Sequence, residues 1–346
     1  MMNRIKGKTK INSNSFLLMV TVLMFLLMYI AGMIIYQDKG FAKPQMFLNL
    51  FISNAGLLVI GCGMTVVMIT GGIDISVGSV TALVCMAAAY SMENKGLSVY
   101  TAVAASIGMG IVYGIVQGYL VAYLDIQPFI VTLAGMFFAR GMTAVISTEM
   151  ISIKNELFLK WANNKIYLPF GTVNKKGIYQ PAYIYPTVII AISVVILISI
   201  MLKYTKFGRR LYAIGGSQQS ALMMGLNVKK TKFEAYILNG FLAGLGGFLF
   251  CLNSGAGFVE QAKGMEMDAI SAAVIGGTLL SGGVGMAVGT LFGVLIKGTI
   301  TSLITTQGTL SSWWVRIALS TLLCFFIVLQ SIISFSKKKR KKKIGL

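Results

Sequence analysis

The sequence predicts an all-α polytopic membrane protein with about ten transmembrane segments, and three observations lead to this class. Of its 346 residues, 56% are hydrophobic and only 12% are charged, whereas soluble domains carry roughly 25% charged residues. The mean hydropathy is +0.80. Apolar residues also occur in runs near the length of about 20 residues that crosses a bilayer. These runs are residues 16–36, 51–70, 76–91, 99–123, 128–146, 183–202, 236–253, 269–280, 284–304 and 313–335.

The third and eighth runs are short and flanked by glycine. They are therefore also compatible with re-entrant or half-length helices, which leaves eight full spans as the alternative count. On either count, the predicted organisation is a basic N-terminus (1–14), a transmembrane domain (15–335) and a basic tail (336–346). The two longest connections are the loops 147–182 and 203–234.

The distribution of basic residues predicts the orientation. Cytoplasmic loops of membrane proteins are enriched in Lys and Arg. Ten spans with a cytoplasmic N-terminus place both the basic loop 203–234 and the basic run 337–343 in the cytoplasm, whereas most loop acids fall outside. The loop 147–182, with five lysines, is the exception. We interpret the net charge of +20 as a topology and anionic-lipid signal rather than as evidence for nucleic-acid binding.

This topology predicts an inverted repeat, because spans two to five begin outside and spans seven to ten begin inside. Each half contains an asparagine in its first span, Asn54 and Asn239. Each half also contains short segments interrupted by glycine, around Gly71, Gly276 and Gly282. The alternative is chance resemblance in a chain with 39 glycines.

Asp74 is the most informative single residue, because it lies between two strongly apolar runs, 57–69 and 77–90. A carboxylate inside a bilayer costs about 3 kcal/mol and therefore faces protein or a water-filled cavity. We expect Asp74 to line a substrate pathway. The alternative is a turn at the cytoplasmic mouth, in which Asp74 or Ser76 caps the following helix.

Neutral polar residues inside the spans are further pathway candidates. Together with Asp74, we expect Asn54, Gln117 and Asn239 to line the pathway, and Asn253 is a weaker candidate. For each of them, a hydrogen bond between helices, worth about 0.6 kcal/mol, is the alternative role.

Three basic residues and two tryptophans also bear on the spans. Lys297 is the best candidate for an internal partner of Asp74. Arg140 and Arg316 lie close enough to span ends for their side chains to reach the interface. Trp313 and Trp314 are typical interface anchors.

Catalytic, metal and cofactor sites are not predicted. The chain has no histidine and no phosphate-binding G-x-x-x-x-G-K-[ST] motif. Cys62, Cys85, Cys251 and Cys324 each lie alone in an apolar run, which is typical neither of a disulfide framework nor of a metal site. With one deep carboxylate, a proton relay would have few members.

The basic loop contains a predicted docking helix. Ser217 is a good N-cap and Gly225 a good C-terminal stop, which predicts a helix over 218–224. That helix would carry Leu222 and Met223 at a water-exposed surface, where apolar side chains suit docking into a partner's groove. A helix lying on the lipid surface is the alternative.

Five segments of the sequence resemble segments of a known class of membrane protein. G-G-I-D-I-S-V-G-S-V at 71–80, G-R-R-L-Y-A-I-G-G-S at 208–217 and D-A-I-S-A-A-V-I-G-G-T-L-L-S-G-G-V-G at 268–285 resemble the ribose, xylose and galactose class of bacterial ABC importer permeases. P-F-I-V-T-L-A-G-M-F-F-A-R-G at 128–141 and G-T-L-S-S-W-W at 308–314 resemble more narrowly the permease subunits of galactofuranose importers.

This resemblance implies a permease in the bacterial inner membrane with three kinds of protein partner. They are a cytoplasmic ABC ATPase subunit, an extracytoplasmic sugar-binding protein and a second permease subunit. The narrower resemblance favours two different permease chains over a homodimer. The family's ATPase-coupling segment falls on Gly215, Gly216, Ser217, Ala221, Leu222, Met223 and Gly225. The rival hypotheses are an ion-driven secondary sugar transporter and a membrane enzyme acting on lipid-linked sugars.

Overall fold

The computed structural model describes residues 13–173, 177–311 and 313–343, with the surroundings of side chains given from 17 to 332. The predicted N-terminus 1–14 therefore lies largely outside the described residues, as do Lys175 and Lys176, and the predicted tail 336–346 is described only as the backbone of the last helix, to Lys343. The helices are α1 (Ser13–Ile35), α2 (Pro44–Ile69), α3 (Val77–Glu93), α4 (Val99–Ala122), α5 (Pro128–Ile146), α6 (Glu156–Ala162), α7 (Pro186–Tyr204), α8 (Lys206–Gly216), α9 (Gln218–Met223), α10 (Val228–Ser254), α11 (Met265–Ile275), α12 (Ala287–Gln307) and α13 (Trp313–Lys343).

The all-α polytopic class is confirmed. In the described part of the chain, eight helices are long and apolar enough to cross a membrane. The two predicted short segments are α3, with 17 residues, and α11, with 11 residues. The alternative count of eight full spans with two shorter helices therefore describes the molecule.

Hydrogen bonds between helix ends show which ends share a face. The Thr21 hydroxyl, near the start of α1, donates to the Ile275 carbonyl at the end of α11 (2.7 Å). Gln330, toward the end of α13, donates to the Val274 carbonyl (2.9 Å). Tyr212 of α8 donates to the Gly285 carbonyl before α12 (2.8 Å). The start of α1 and the far end of α13 therefore lie on the face that carries α8 and α9, which we call the α9 face.

The opposite face is covered by the connection between α5 and α7, and we call it the hairpin face. Strands β2 (Ile166–Val173) and β3 (Tyr179–Ile184) form an antiparallel hairpin, while β1 (Ile151–Ser152) pairs with β4 (Ala256–Gly257). Gln45 of α2 exchanges hydrogen bonds with the Tyr183 backbone (2.8 and 3.2 Å). The long loop 147–182 is therefore packed onto the ends of the helices.

Packing partners correspond between the two halves of the chain. Helix α2 packs on α11 and α12, just as α10 packs on α3 and α4. Helix α3 contacts α4 and α5, just as α11 contacts α12 and α13. Helices α2 and α10 also pack on each other at the centre. This correspondence is the one that an inverted repeat of four helices requires.

The contact between α4 and α10 is made by backbone. A Cβ atom added at Gly240 would overlap with the Gly110 carbonyl, and one at Gly244 with the Ser106 carbonyl. A Cβ atom added at Gly114 of α4 would overlap with the Tyr236 carbonyl of α10. Small residues allow such close approach of membrane helices, which gain van der Waals contact from it.

We predict that Gly240→Ala lowers the thermal unfolding temperature of the detergent-purified protein. The added methyl group has no space, and overpacking of this kind costs about 1–3 kcal/mol. Gly108→Ala, on the neighbouring α4, is the matched control, because no atom lies within 4 Å of its Cβ position. Equal unfolding temperatures for the two variants would show that α4 and α10 are not in backbone contact.

Candidate functional site

The turn between α2 and α3 leads the chain back into the helix bundle. Gly71 has φ +82°, a left-handed conformation that glycine adopts at little cost. Ser76, the last residue before α3, is bonded to Gln117, which lies five residues before the end of α4. At a rise of about 1.5 Å per residue, α3 begins roughly 8 Å inside the end of α4. The turn is therefore a re-entrant element.

Asp74 is the centre of a buried polar network in this turn. Its Oδ1 accepts hydrogen bonds from the Ser76 amide (2.8 Å) and hydroxyl (2.6 Å). Its Oδ2 accepts one from Asn239 Nδ2 of α10 (2.6 Å). Ser76 Oγ in turn accepts one from Gln117 Nε2 of α4 (2.8 Å). None of the four side chains is more than 3% exposed, so the network replaces the water that Asp74 would otherwise need.

Asp74 therefore faces protein inside the bundle, and its place on a substrate pathway stays a prediction. It braces the turn before α3 by binding the Ser76 amide, and it is linked directly to α10 through Asn239 and indirectly to α4 through Ser76. Three of the four predicted pathway residues, Asp74, Gln117 and Asn239, are brought together here. Ser76, considered from sequence only as a cap, is the hydroxyl that connects two of them.

The predicted pairing of Lys297 with Asp74 is wrong. Lys297 Nζ lies 3.3 Å from Asp268 Oδ2 of α11 and 3.4 Å from Asn54 Oδ1 of α2. Lys297 and Asn54 lie in the halves of α12 and α2 that point toward the hairpin face. Asn54 therefore belongs to a second polar cluster, distinct from the Asp74 network.

Two arginines and one asparagine lie near the hairpin face. Arg140 Nη1 donates to the Gln261 carbonyl (2.8 Å) and to that of Val259. Arg316 Nη2 contacts the Lys263 carbonyl at 3.4 Å. Both arginines therefore hold the connection before α11, and the expectation that they reach the membrane interface stays a prediction. Asn253 is exposed near the end of α10 and belongs to neither polar cluster.

The predicted docking helix is present as α9. The Ser217 hydroxyl accepts a hydrogen bond from the Ser220 amide (3.2 Å), and Gly225 has φ +74°. Ala221 is buried against Ile214 and Val228. The apolar side chains that follow it are exposed: Leu222 by 54%, Met223 by 81% and Met224 by 66%.

A glycine junction joins this surface to the Asp74 turn. Helix α8, which was not predicted, ends at Gly215 and Gly216. A Cβ atom at Gly215 would overlap with the Ile69 carbonyl and the Gly283 amide. Those two backbone groups are hydrogen-bonded to each other (2.8 Å). Three segments, the end of α2, the turn before α12 and the end of α8, therefore meet backbone to backbone five residues before Asp74.

Metal ligation finds no support among the side chains that the structure describes. No group of three or more His, Cys, Asp or Glu residues in this part of the chain could hold an ion. The four cysteines are free thiols, and Cys324 alone among them is exposed.

Comparisons with known proteins agree with this architecture. A family model described as "Branched-chain amino acid transport system / permease component" matches residues 46–328. The inner membrane ABC transporter permease protein YjfF of Escherichia coli K12 is 41% identical over 315 residues, covering 90% of this chain and 91% of that protein. No solved structure matches the chain significantly.

Two further relatives are named as import permeases for particular sugars. The fructose import permease protein FruG of Bifidobacterium longum is 32% identical over 312 residues, which is 90% of this chain and 89% of that protein. The ribose import permease protein RbsC of Escherichia coli K12 is 36% identical over 276 residues, or 80% of this chain and 82% of that protein.

We predict that Asp74→Asn destabilises the protein by about 1–3 kcal/mol, as expected when a buried donor loses its acceptor. The carboxylate accepts three hydrogen bonds, whereas the amide group must turn its nitrogen toward Ser76 or Asn239, both of which donate. Thermal unfolding in detergent measures the loss. Asp38→Asn, in an exposed connection, is the control. An unchanged unfolding temperature for Asp74→Asn would contradict the network.

Proposed function

This chain belongs to the permease-component family whose model it matches, and from this premise we propose that it is the membrane subunit of an ATP-driven sugar importer. Permease subunits of this kind form the path for the solute and are not themselves enzymes. Curated relatives named for ribose and fructose import support a monosaccharide as the solute. The motifs at 128–141 and 308–314 favour galactofuranose or a related sugar among them.

The observation that carries this proposal is the exposed end of α9. Leu222 and Met223 project from a helix that is anchored by Ala221 and stands on the glycine junction. Exposed apolar side chains on a short, firmly held helix fit a groove in a partner protein. We assign that partner as the cytoplasmic ABC ATPase, with Gly215, Gly216, Ser217, Ala221, Leu222, Met223 and Gly225 as its coupling segment.

The proposed orientation places the α9 face in the cytoplasm. The ends of α7, α8 and α10 on this face carry seven basic residues: Lys203, Lys206, Arg209, Arg210, Lys229, Lys230 and Lys232. Both termini then lie inside, and the hairpin face with loop 147–182 lies outside. An extracytoplasmic sugar-binding protein would meet that outer face, while a second, different permease chain would complete the path.

The coupling mechanism follows from the junction. ATP-driven movement of the ATPase would displace α9 and α8 together, and α8 ends against the Ile69 carbonyl and the Gly283 amide. Because no side chain lies between them, the displacement would pass directly to the turn that holds Asp74. The network around Asp74 would then be the element with two arrangements that coupling between distant faces requires.

We predict that Leu222→Asp and Met223→Asp each reduce co-purification of the ATPase from detergent by about tenfold or more, equivalent to at least ~1.4 kcal/mol of binding free energy. Each change places a charge in the proposed contact. Met150→Asp is the control, because Met150 is similarly exposed (61%) but lies on the opposite face. If both α9 variants co-purify with the ATPase as well as the unchanged protein does, α9 is not the coupling segment.

We also predict that the purified chain alone, in lipid vesicles, does not accumulate sugar, and that the complex with its ATPase and binding protein does so with ATP. At constant ATP, uptake by the complex should persist when an uncoupler collapses the proton gradient. Loss of uptake under the uncoupler would favour the ion-driven transporter. Competition among unlabelled ribose, fructose, galactose and galactofuranose identifies the solute, and we expect galactofuranose to compete best.

A further inference from the structure

A cleft of about 410 Å³ lies between α2 and α12, in the halves of these helices nearest the hairpin face. Asn54, on its wall, is ten residues past the start of α2, and Lys297 is ten residues before the end of α12. Ten helical residues span about 15 Å, or half of a hydrocarbon layer of about 30 Å. The cleft therefore reaches from the hairpin face to the middle of the membrane.

The cleft is lined by groups that bind hydroxyls. Among the residues that the structure describes, no protein group binds the hydroxyls of Ser53 and Ser302 or the side-chain nitrogen of Asn49. Thr301 and Thr305 donate their hydroxyl protons to backbone carbonyls (3.0 and 2.9 Å), which leaves their oxygens available as acceptors. Unpaired polar groups at membrane depth require water or a polar solute.

The charge of the cleft is nearly balanced. Lys297 provides one ammonium group, and Asp268 lies beside it at 3.3 Å. Both side chains are partly exposed, by 22% and 32%, so the pair is open to a solute. Lys297 also lines a second cleft of about 390 Å³ on the side of α13. In the cleft between α2 and α12, Lys297 therefore offers a hydrogen-bond donor to a hydroxyl, while Asp268, outside this cleft, balances its charge.

The corresponding helix pair in the other half of the repeat is closed. Where α4 and α10 meet, Gly110, Gly240 and Gly244 bring the two backbones together. Where α2 and α12 meet, the Asn54 amide lies 2.9 Å from the Cβ position of Gly298, and the cleft opens beyond it. Solute sites in repeat-built transporters lie near the midplane at the interface of the repeats.

We infer that the cleft between α2 and α12 binds a neutral, hydroxyl-rich solute, with Lys297 as donor, Asn54 as acceptor and Ser53 and Ser302 as further partners. This inference rests on the proposed function and locates the sugar within it. It differs from the earlier expectation of a pathway through Asp74, because Asp74 is buried and both of its carboxylate oxygens accept hydrogen bonds from protein donors.

The test blocks the cleft after the protein has folded. In a Cys324→Ser background, which removes the exposed native thiol, Ser302→Cys is assembled with the ATPase and the binding protein in vesicles. The cysteine is then modified with a bulky, membrane-impermeant maleimide. Uptake of labelled ribose, fructose and galactose and ATP hydrolysis are compared before and after modification of the same sample. Thr321→Cys, on an exposed position of α13 outside the cleft, is modified in parallel.

We expect modification of Ser302→Cys to lower uptake by about tenfold or more, as a plug in a pore would, while ATP hydrolysis persists and modified Thr321→Cys transports as before. Unchanged uptake after complete modification would overturn the inference, and so would failure of the maleimide to reach Ser302→Cys. These outcomes differ from failure of the proposed function, in which the complex carrying only Cys324→Ser would show no ATP-driven uptake of these three sugars or of labelled galactofuranose.

Discussion

The burial of one carboxylate constrains the centre of this molecule. Asp74 has lost its water, so each of its oxygens must find a donor within the bundle, and an unpaired charge there would cost several kcal/mol. The donors come from α10 through Asn239, and from Ser76, which is itself bound by Gln117 of α4. This requirement explains why α3 begins below the membrane surface. It also ties the turn to two helices from different halves of the repeat, so the turn cannot shift without rearranging both contacts.

The glycine junction connects the Asp74 network to the exposed helix α9. A helix transmits movement to its neighbour best when the two are in direct contact. The closest contact between two protein segments is between their backbones. Gly215 permits it, because any side chain there would overlap with the Ile69 carbonyl. The hydrogen bond from the Gly283 amide to that carbonyl adds the turn before α12 to the same point. The exposed α9, the re-entrant turn after α2, the turn before α12 and the Asp74 network therefore form one continuous structure from the cytoplasmic surface proposed here to the interior.

Equivalent helix pairs in the two halves of the repeat have different interfaces. Glycines on both helices bring the backbones of α4 and α10 into contact, which leaves no space between these helices. Hydroxyl, amide and ammonium groups line the α2–α12 pair, which remains open on the side of the hairpin face. An inverted repeat offers two equivalent interfaces, and the side chains along them decide which is sealed. The asymmetry of sequence between the halves thus leaves a polar cleft at one interface and close backbone packing at the other.

The sequence by itself determined the features that depend on neighbouring residues. Hydropathy located a helix for each predicted span, although α2 and α10 begin seven and eight residues before the predicted runs and α13 ends eight residues after its run. Ser217 with Gly225 bounded α9, because caps act over one or two helical turns. Loop charge predicts that the α9 face is cytoplasmic, and this orientation stays a prediction. Only the tertiary structure decided the partners of buried polar groups. It separated Asn54 from Asp74, gave Lys297 to Asp268, and brought Gly215 to Gly283, residues 68 positions apart. Such pairings depend on which helix faces which, and that is set by packing over the whole bundle rather than by any local pattern.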